Sequence, residues 1–211
     1  MVGRMMMDFG ITVNQLNACL CSIPLFEENI TALKLAQSAG AMNFILSDAN
    51  HHYISTILEH HNISSSFIQF VTNLSHIEDE EAATIASSDA ADTQLVSSRL
   101  RISPHQPADS PHSCALCPPN LCKGNVLDKW REQYLFHQVV YIGDGGGDFC
   151  PALRLCSSDT VLCRQDYPLH KKCVAAKTEQ SQHQLAASVV QWLSGNDILA
   201  SFQDMFKSSS R

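Results

Sequence analysis

Apolar and polar positions along the chain change period several times, and each change predicts an element. Leu16, Cys19 and Leu20 recur at helical spacing within residues 1–37. Pro24 interrupts that helical region, and Glu27 to Ala39 resumes it until Gly40 stops it. Met42 to Leu46 is a short apolar run that predicts a buried strand, followed by the polar "SDANHHY" and a helical segment over Tyr53 to His61. Val139 to Ile142 predicts a second buried strand, because it is short, β-branched and bounded by turn formers. A last helix is predicted around Ile198 to Phe206. Helix, strand, loop, helix is the order of an α/β fold, whose ligands sit at the carboxyl ends of strands.

Residues 76–113 turn acidic, Ser/Ala-rich and then Pro-rich, which predicts a loop or insertion centred on the acidic stretch at 76–98. With 211 residues, 45% hydrophobic and 17% charged, the chain can bury one core and a small subdomain. A net charge of -7 argues against nucleic acid or an anionic membrane as the main partner, since both select basic surfaces. No apolar run reaches the length of a membrane span and the first ten residues do not resemble a secretory signal, so a cytoplasmic protein is expected. Nine cysteines, an odd number scattered along the chain, are expected to be mostly free thiols in a reducing compartment.

The chemistry concentrates after the second strand, in "YIGDGGGDFCPALRL". Asp144 and Asp148 lie just past its end, separated by three glycines that can take positive φ and bring the backbone close to a ligand. Two carboxylates so placed suit a hard cation such as Mg²⁺, with Asp144 the better direct ligand. The competing reading is an Asp-Gly turn with Asp148 capping a helix. No Lys-Ser or Lys-Thr follows the glycines, so this is not a Walker A loop. In "FILSDAN", Ser47 offers a hydroxyl and the following amides a phosphate cradle, against the alternative of a simple helix cap. Lys123 can offset repulsion within a carboxylate and phosphate cluster. Cys114 and Cys117 have zinc-knuckle spacing, and with Cys122 and His112 a Cys₃His site can be drawn. His51-His52 and His60-His61 do not share a helix face and are read as solvated. The sequons at Asn62 and Asn73 are read as coincidences.

Taken together, "ILSDAN", "RLRISPH", "CPPNLCKG", "YIGDGGGDFCPALRL" and "CRQDYPLHKKC" resemble the phosphoethanolamine/phosphocholine phosphatase family and its plant pyrophosphatase and thiamine-phosphate phosphatase relatives, within the haloacid dehalogenase superfamily. The likeness runs from about Ile11 to Ile198. It implies a Rossmann-like domain with a small helical cap, and Mg²⁺-dependent hydrolysis of small phosphorylated metabolites through an aspartyl-phosphate. Ser47 would bind phosphate, and Lys123 would steady nucleophile and phosphate. Asp144 and Asp148 would serve the metal, and Asp48 and Asn50 would lie near the substrate. Residues 1–38 would be a remnant of the cap and 39–211 the phosphatase core.

One departure bears on activity. The family pattern opens with a strand ending in "DFDxT", which supplies the nucleophile and the general acid and base. The nearest match here is "MDFGIT", residues 7–12, with Gly10 in place of the second aspartate. A chain beginning inside the cap, without the nucleophile strand, is therefore expected. The alternatives to an active phosphatase are an inactive protein that binds Mg²⁺ and phosphate ligands or a partner, and a zinc-stabilised interaction module.

Overall fold

The computed structural model describes residues 9–80, 97–178 and 180–208. Along the chain run α1 (Val13–Cys21), α2 (Glu27–Ser38), β1 (Phe44–Asn50), α3 (His51–His60), β2 (Gln69–Glu80) and β3 (Ser97–Ser103). They are followed by α4 (Lys123–Gln133), β4 (Val140–Gly143), α5 (Phe149–Ala152), β5 (Thr160–Arg164), α6 (Pro168–Ala176), β6 (Ser188–Trp192) and α7 (Gly195–Ser208). Two compact units divide them. One holds the described residues up to Pro24, Asp48–Ser64 and Thr72–His105; the other holds Leu25–Ser47, Ser65–Val71 and the chain from Gln106.

The larger unit is an α/β structure on a parallel sheet of order β4-β5-β6, with Val140 opposite Thr160 and Thr160 opposite Ser188. Successive side chains of a strand point to opposite faces, and β5 shows this cleanly. Val161 and Cys163 pack with Leu127, Phe149, Leu169 and Cys173, whereas Leu162 packs with Ala32, Ala36, Ile198 and Phe202. Helices thus cover both faces, as a parallel sheet requires. The α/β, Rossmann-like expectation stands. The stop at Gly40 stands too: this glycine has φ +81°, and the Ala41 amide donates to the Ala36 carbonyl at 2.9 Å, closing the end of α2.

In the smaller unit, Val13 and Leu100 form a core with Leu16 and Tyr53. Its first helix is set by Thr12, whose hydroxyl accepts from the Gln15 amide while the Gln15 side chain accepts from Thr12 N–H. Part of the expected acidic loop is instead an antiparallel ladder, with Leu74 opposite Ser103 and Glu78 opposite Arg99. Cross-strand charge explains the difference. Arg101 first, then His76 and Arg99, bind the Glu78 carboxylate and hold its pKa down to about 2. Residues 81–96, the middle of that stretch, lie outside the described residues.

The paired histidines split as their spacing suggests, but not into solvent alone. His51 and His60 are exposed, while His52 and His61 are half-buried, His52 Nε2 standing 2.7 Å from Asn17 Oδ1. Asn73 also has structural work: its Nδ2 donates to the carbonyls of Asp48 and Ala49, and its Oδ1 accepts from His105 N–H at 3.1 Å. Among the described residues no helix is long and apolar enough to cross a membrane.

Candidate active site

At the end of β4 the chain turns through Asp144 and three glycines, and Asp148 folds back beneath the turn. Asp148 is 6% exposed. Its Oδ1 accepts from Lys123 Nζ and from the Tyr141 hydroxyl, each at 2.8 Å. Its Oδ2 accepts from Gly145 N–H at 2.9 Å and Asp144 N–H at 3.2 Å. Four donors therefore occupy a single carboxylate, which compensates its burial.

The glycines act differently from the expectation. Among the described residues the positive-φ glycines are Gly10 and Gly40, so the loop needs no left-handed backbone. What it needs is space. A Cβ at Gly143 would meet Asp148 Cγ and Oδ2 at 2.8 Å, and one at Gly145 would meet Oδ2 at 3.4 Å. The close approach is by Asp148 itself. Nor does Asp148 cap the helix that follows it; its side chain accepts from amides that precede it.

Asp144 is exposed, and its carboxylate has no hydrogen-bond partner among the described residues. Its backbone is fixed on both sides, the amide by Asp148 and the carbonyl by the Leu169 N–H at 3.0 Å. An oxygen donor open to solvent and set on a rigid turn fits a hard cation that keeps most of its waters, as Mg²⁺ does. The saturated Asp148 fits a supporting role. Lys123, the first residue of α4, has a side chain 11% exposed and fixes its ammonium against Asp148. Sequence reasoning missed two neighbours. Tyr141 lies on β4 with its hydroxyl on Asp148, and Lys172 donates to the Gly146 carbonyl at 3.2 Å.

The structure thus brings Lys123, Asp144 and Asp148 together in the larger unit. Ser47 belongs to the same unit and is half-buried; Asp48 and Asn50 belong to the smaller one. The strand expected to stop at Leu46 continues through Asn50, so Ser47 and Asp48 lie within β1 and do not start a helix. Asn50, 3% exposed, is the true cap, accepting from the Tyr53 amide at 3.0 Å. Asp8 of "MDFGIT" lies outside the described residues.

Cysteine geometry also corrects the sequence expectation. The sulfurs of Cys114, Cys117, Cys122 and Cys150 all lie within 4.8 Å of one another. His112 is turned to other work: its Nε2 pairs with the Pro118 carbonyl at 2.8 Å and its Nδ1 with the Cys114 amide at 3.2 Å. Cys150, from the segment after Asp148, takes the fourth place.

Residues 1–206 match the family described as Putative Phosphatase. The chain is 39% identical to an Arabidopsis thaliana thiamine phosphate phosphatase-like protein over 180 residues, 82% of this chain and 66% of that protein. It is 31% identical to inorganic pyrophosphatase 2 of the same plant, over 90% of this chain and 62% of that protein. It is 28% identical to the mouse pyridoxal phosphate phosphatase PHOSPHO2, over 98% of this chain and 79% of that protein. The chain spans about two thirds or less of the length of the two plant relatives. No solved structure gives a significant match.

Proposed function

The chain belongs to the Putative Phosphatase family, of the haloacid dehalogenase type, and from that premise we propose that it hydrolyses small phosphomonoesters or pyrophosphate with Mg²⁺. Phosphoethanolamine, phosphocholine and thiamine monophosphate represent the substrate class. The observation that carries this reading is the Lys123–Asp148 pair beside the open carboxylate of Asp144 at the end of a parallel strand. Mg²⁺, when bound by Asp144 with Asp148 in support, would neutralise charge on the phosphoryl oxygens.

The chain's own residues supply the rest. Asp148 orients Lys123, whose ammonium sets positive charge beside the incoming phosphate. Tyr141 and the amides of Asp144 and Gly145 hold Asp148 in place. Ser47 offers a hydroxyl to phosphate. Residues 1–38 are read as cap-derived and 39–211 as the phosphatase core. The cytoplasm is the proposed setting, because nine cysteines, odd in number and scattered along the chain, suit a reducing compartment.

Gly10, where the resemblance puts the acid–base aspartate, favours a second reading: a protein that binds Mg²⁺ and phosphate-bearing ligands, or a partner, without turnover. The deciding experiment measures Mg²⁺-dependent phosphate release from phosphoethanolamine, phosphocholine, pyrophosphate and thiamine monophosphate, with calorimetric binding of the same compounds. Release abolished by Asp144→Asn supports hydrolysis. Mg²⁺-dependent binding without release supports the second reading, and neither binding nor release overturns both.

A further inference from the structure

We propose that Cys114, Cys117, Cys122 and Cys150 form a structural zinc site, one Zn²⁺ held by four thiolates. The spacing carries the argument. Zn–S bonds of about 2.3 Å in a tetrahedron put the sulfurs roughly 3.8 Å apart. Cys150 Sγ lies 3.6 Å from Cys114 Sγ and 3.8 Å from Cys122 Sγ, and no pair among the four exceeds 4.8 Å. Disulfides would draw the sulfurs into pairs at about 2.05 Å; here Cys150 stands almost equally far from two partners, as ligands do around a common centre. An iron–sulfur cluster, carrying its own sulfides, needs a wider cage. Soft thiolates select zinc over the hard cation proposed at Asp144, so the two sites do not compete.

The surroundings are built for this arrangement. Cys114 and Cys117 form a C-x₂-C turn before α4, Cys122 is the N-cap of α4, and Cys150 lies in α5. Cys122 and Cys150 are 4% and 1% exposed. The Asn125 amide donates to Cys122 Sγ at 3.5 Å. Such bonds orient ligands from outside the coordination shell. Gly124 completes the fit, since a Cβ there would come 2.6 Å from Cys150 Sγ.

With four protein ligands there is no open position, so the ion's role is structural. Each thiol loses its proton to solvent as its Zn–S bond forms, and nothing is oxidised or reduced. Cys122 directly precedes Lys123, and Cys150 follows Asp148 by two residues. The zinc would therefore fasten together the two segments that carry the Lys123–Asp148 pair.

The test uses the full chain purified under reducing conditions and analysed for total metal. About one zinc per chain is expected, lost in Cys122→Ser and Cys150→Ser and kept in the exposed-site control Cys156→Ser. Because the first two variants can fail to fold, the wild-type chain is also stripped with chelator and titrated with Co²⁺. The expected outcome is an intense sulfur-to-cobalt charge-transfer band with the d–d pattern of four-sulfur tetrahedral ligation, reversed by Zn²⁺, and a higher Tm with Zn²⁺ than without. The Asp144→Asn variant should keep its zinc, which separates this inference from the phosphatase reading. Iron in place of zinc, a disulfide among the four cysteines, a cobalt spectrum of nitrogen or oxygen ligation, or a Tm indifferent to Zn²⁺ would overturn it.

Discussion

Lys123 Nζ lies 2.8 Å from Asp148 Oδ1, with the two side chains 11% and 9% exposed, so each charge helps to compensate the burial of the other. Removing one partner leaves the survivor's burial less well compensated, at a cost of about 3 kcal/mol. Lys123→Met and Asp148→Asn should each destabilise the chain by that order. The double variant should lose less than the sum, with a coupling above about 1 kcal/mol. Urea unfolding followed by tryptophan fluorescence reads this unit, because Trp130 and Trp192 both lie in it. Strict additivity would sink the idea that the pair acts as one.

Glycine at 143 serves the same carboxylate. Gly143→Ala places a methyl group 2.8 Å from Asp148 Cγ, too near for an ordinary contact. Displacing the carboxylate should cost about 1–3 kcal/mol, the usual range for overpacking. Gly146→Ala is the control, since its nearest neighbour is the flexible Lys172 ammonium at 3.5 Å. Equal losses in the two variants would show that backbone freedom, not space beside Asp148, keeps glycine in this loop.

What could be read from the sequence depended on whether the signal was local. Gly40, Pro24 and the apolar run at 139–142 announce their elements within a few residues, and α2, the break before it and β4 follow. By contrast β2 and β3 are separated by sixteen positions in the sequence, 81–96, and their pairing rests on Glu78 meeting Arg99 and Arg101. Strand preference of that kind is set by the partner strand. At the candidate site, residue type and company suggested that Asp144, Asp148 and Lys123 would gather. Tyr141, Cys150 and the real purpose of Gly143 were not, because each depends on which side chain folds back onto which.

Asp144 and Asp148 should separate cleanly by experiment. Asp144 is exposed and its carboxylate bonds to nothing among the described residues, so Asp144→Asn should leave stability within about 0.5 kcal/mol of wild type. Mg²⁺ binding, followed by calorimetry, should fall at least tenfold in that variant. A large loss of stability, or unchanged Mg²⁺ affinity, would move the metal ligand elsewhere.

A buried aspartate away from the site should govern acid stability. Asp159 is 1% exposed, and burial alone would push its carboxyl up. The amides of Cys156 and Val139, each at 2.8 Å, the Cys156 thiol and Arg131 outweigh burial and hold it below its ordinary value. The unfolded chain takes up this proton near about pH 4, while the folded chain does so only at lower pH. Across that interval the unfolded state binds more protons, so the contribution of Asp159 is complete above it and is lost as pH falls. Asp159→Asn cannot titrate, and it leaves Arg131 without its charge partner. The variant should be less stable at pH 7 by about 2 kcal/mol, the order of a hydrogen bond to a charged group. Its deficit relative to wild type should shrink as pH drops below about 4. Unfolding free energies measured for both chains at pH 7, 5, 4 and 3.5 check this, and parallel curves would mean that Asp159 has the same proton affinity folded and unfolded.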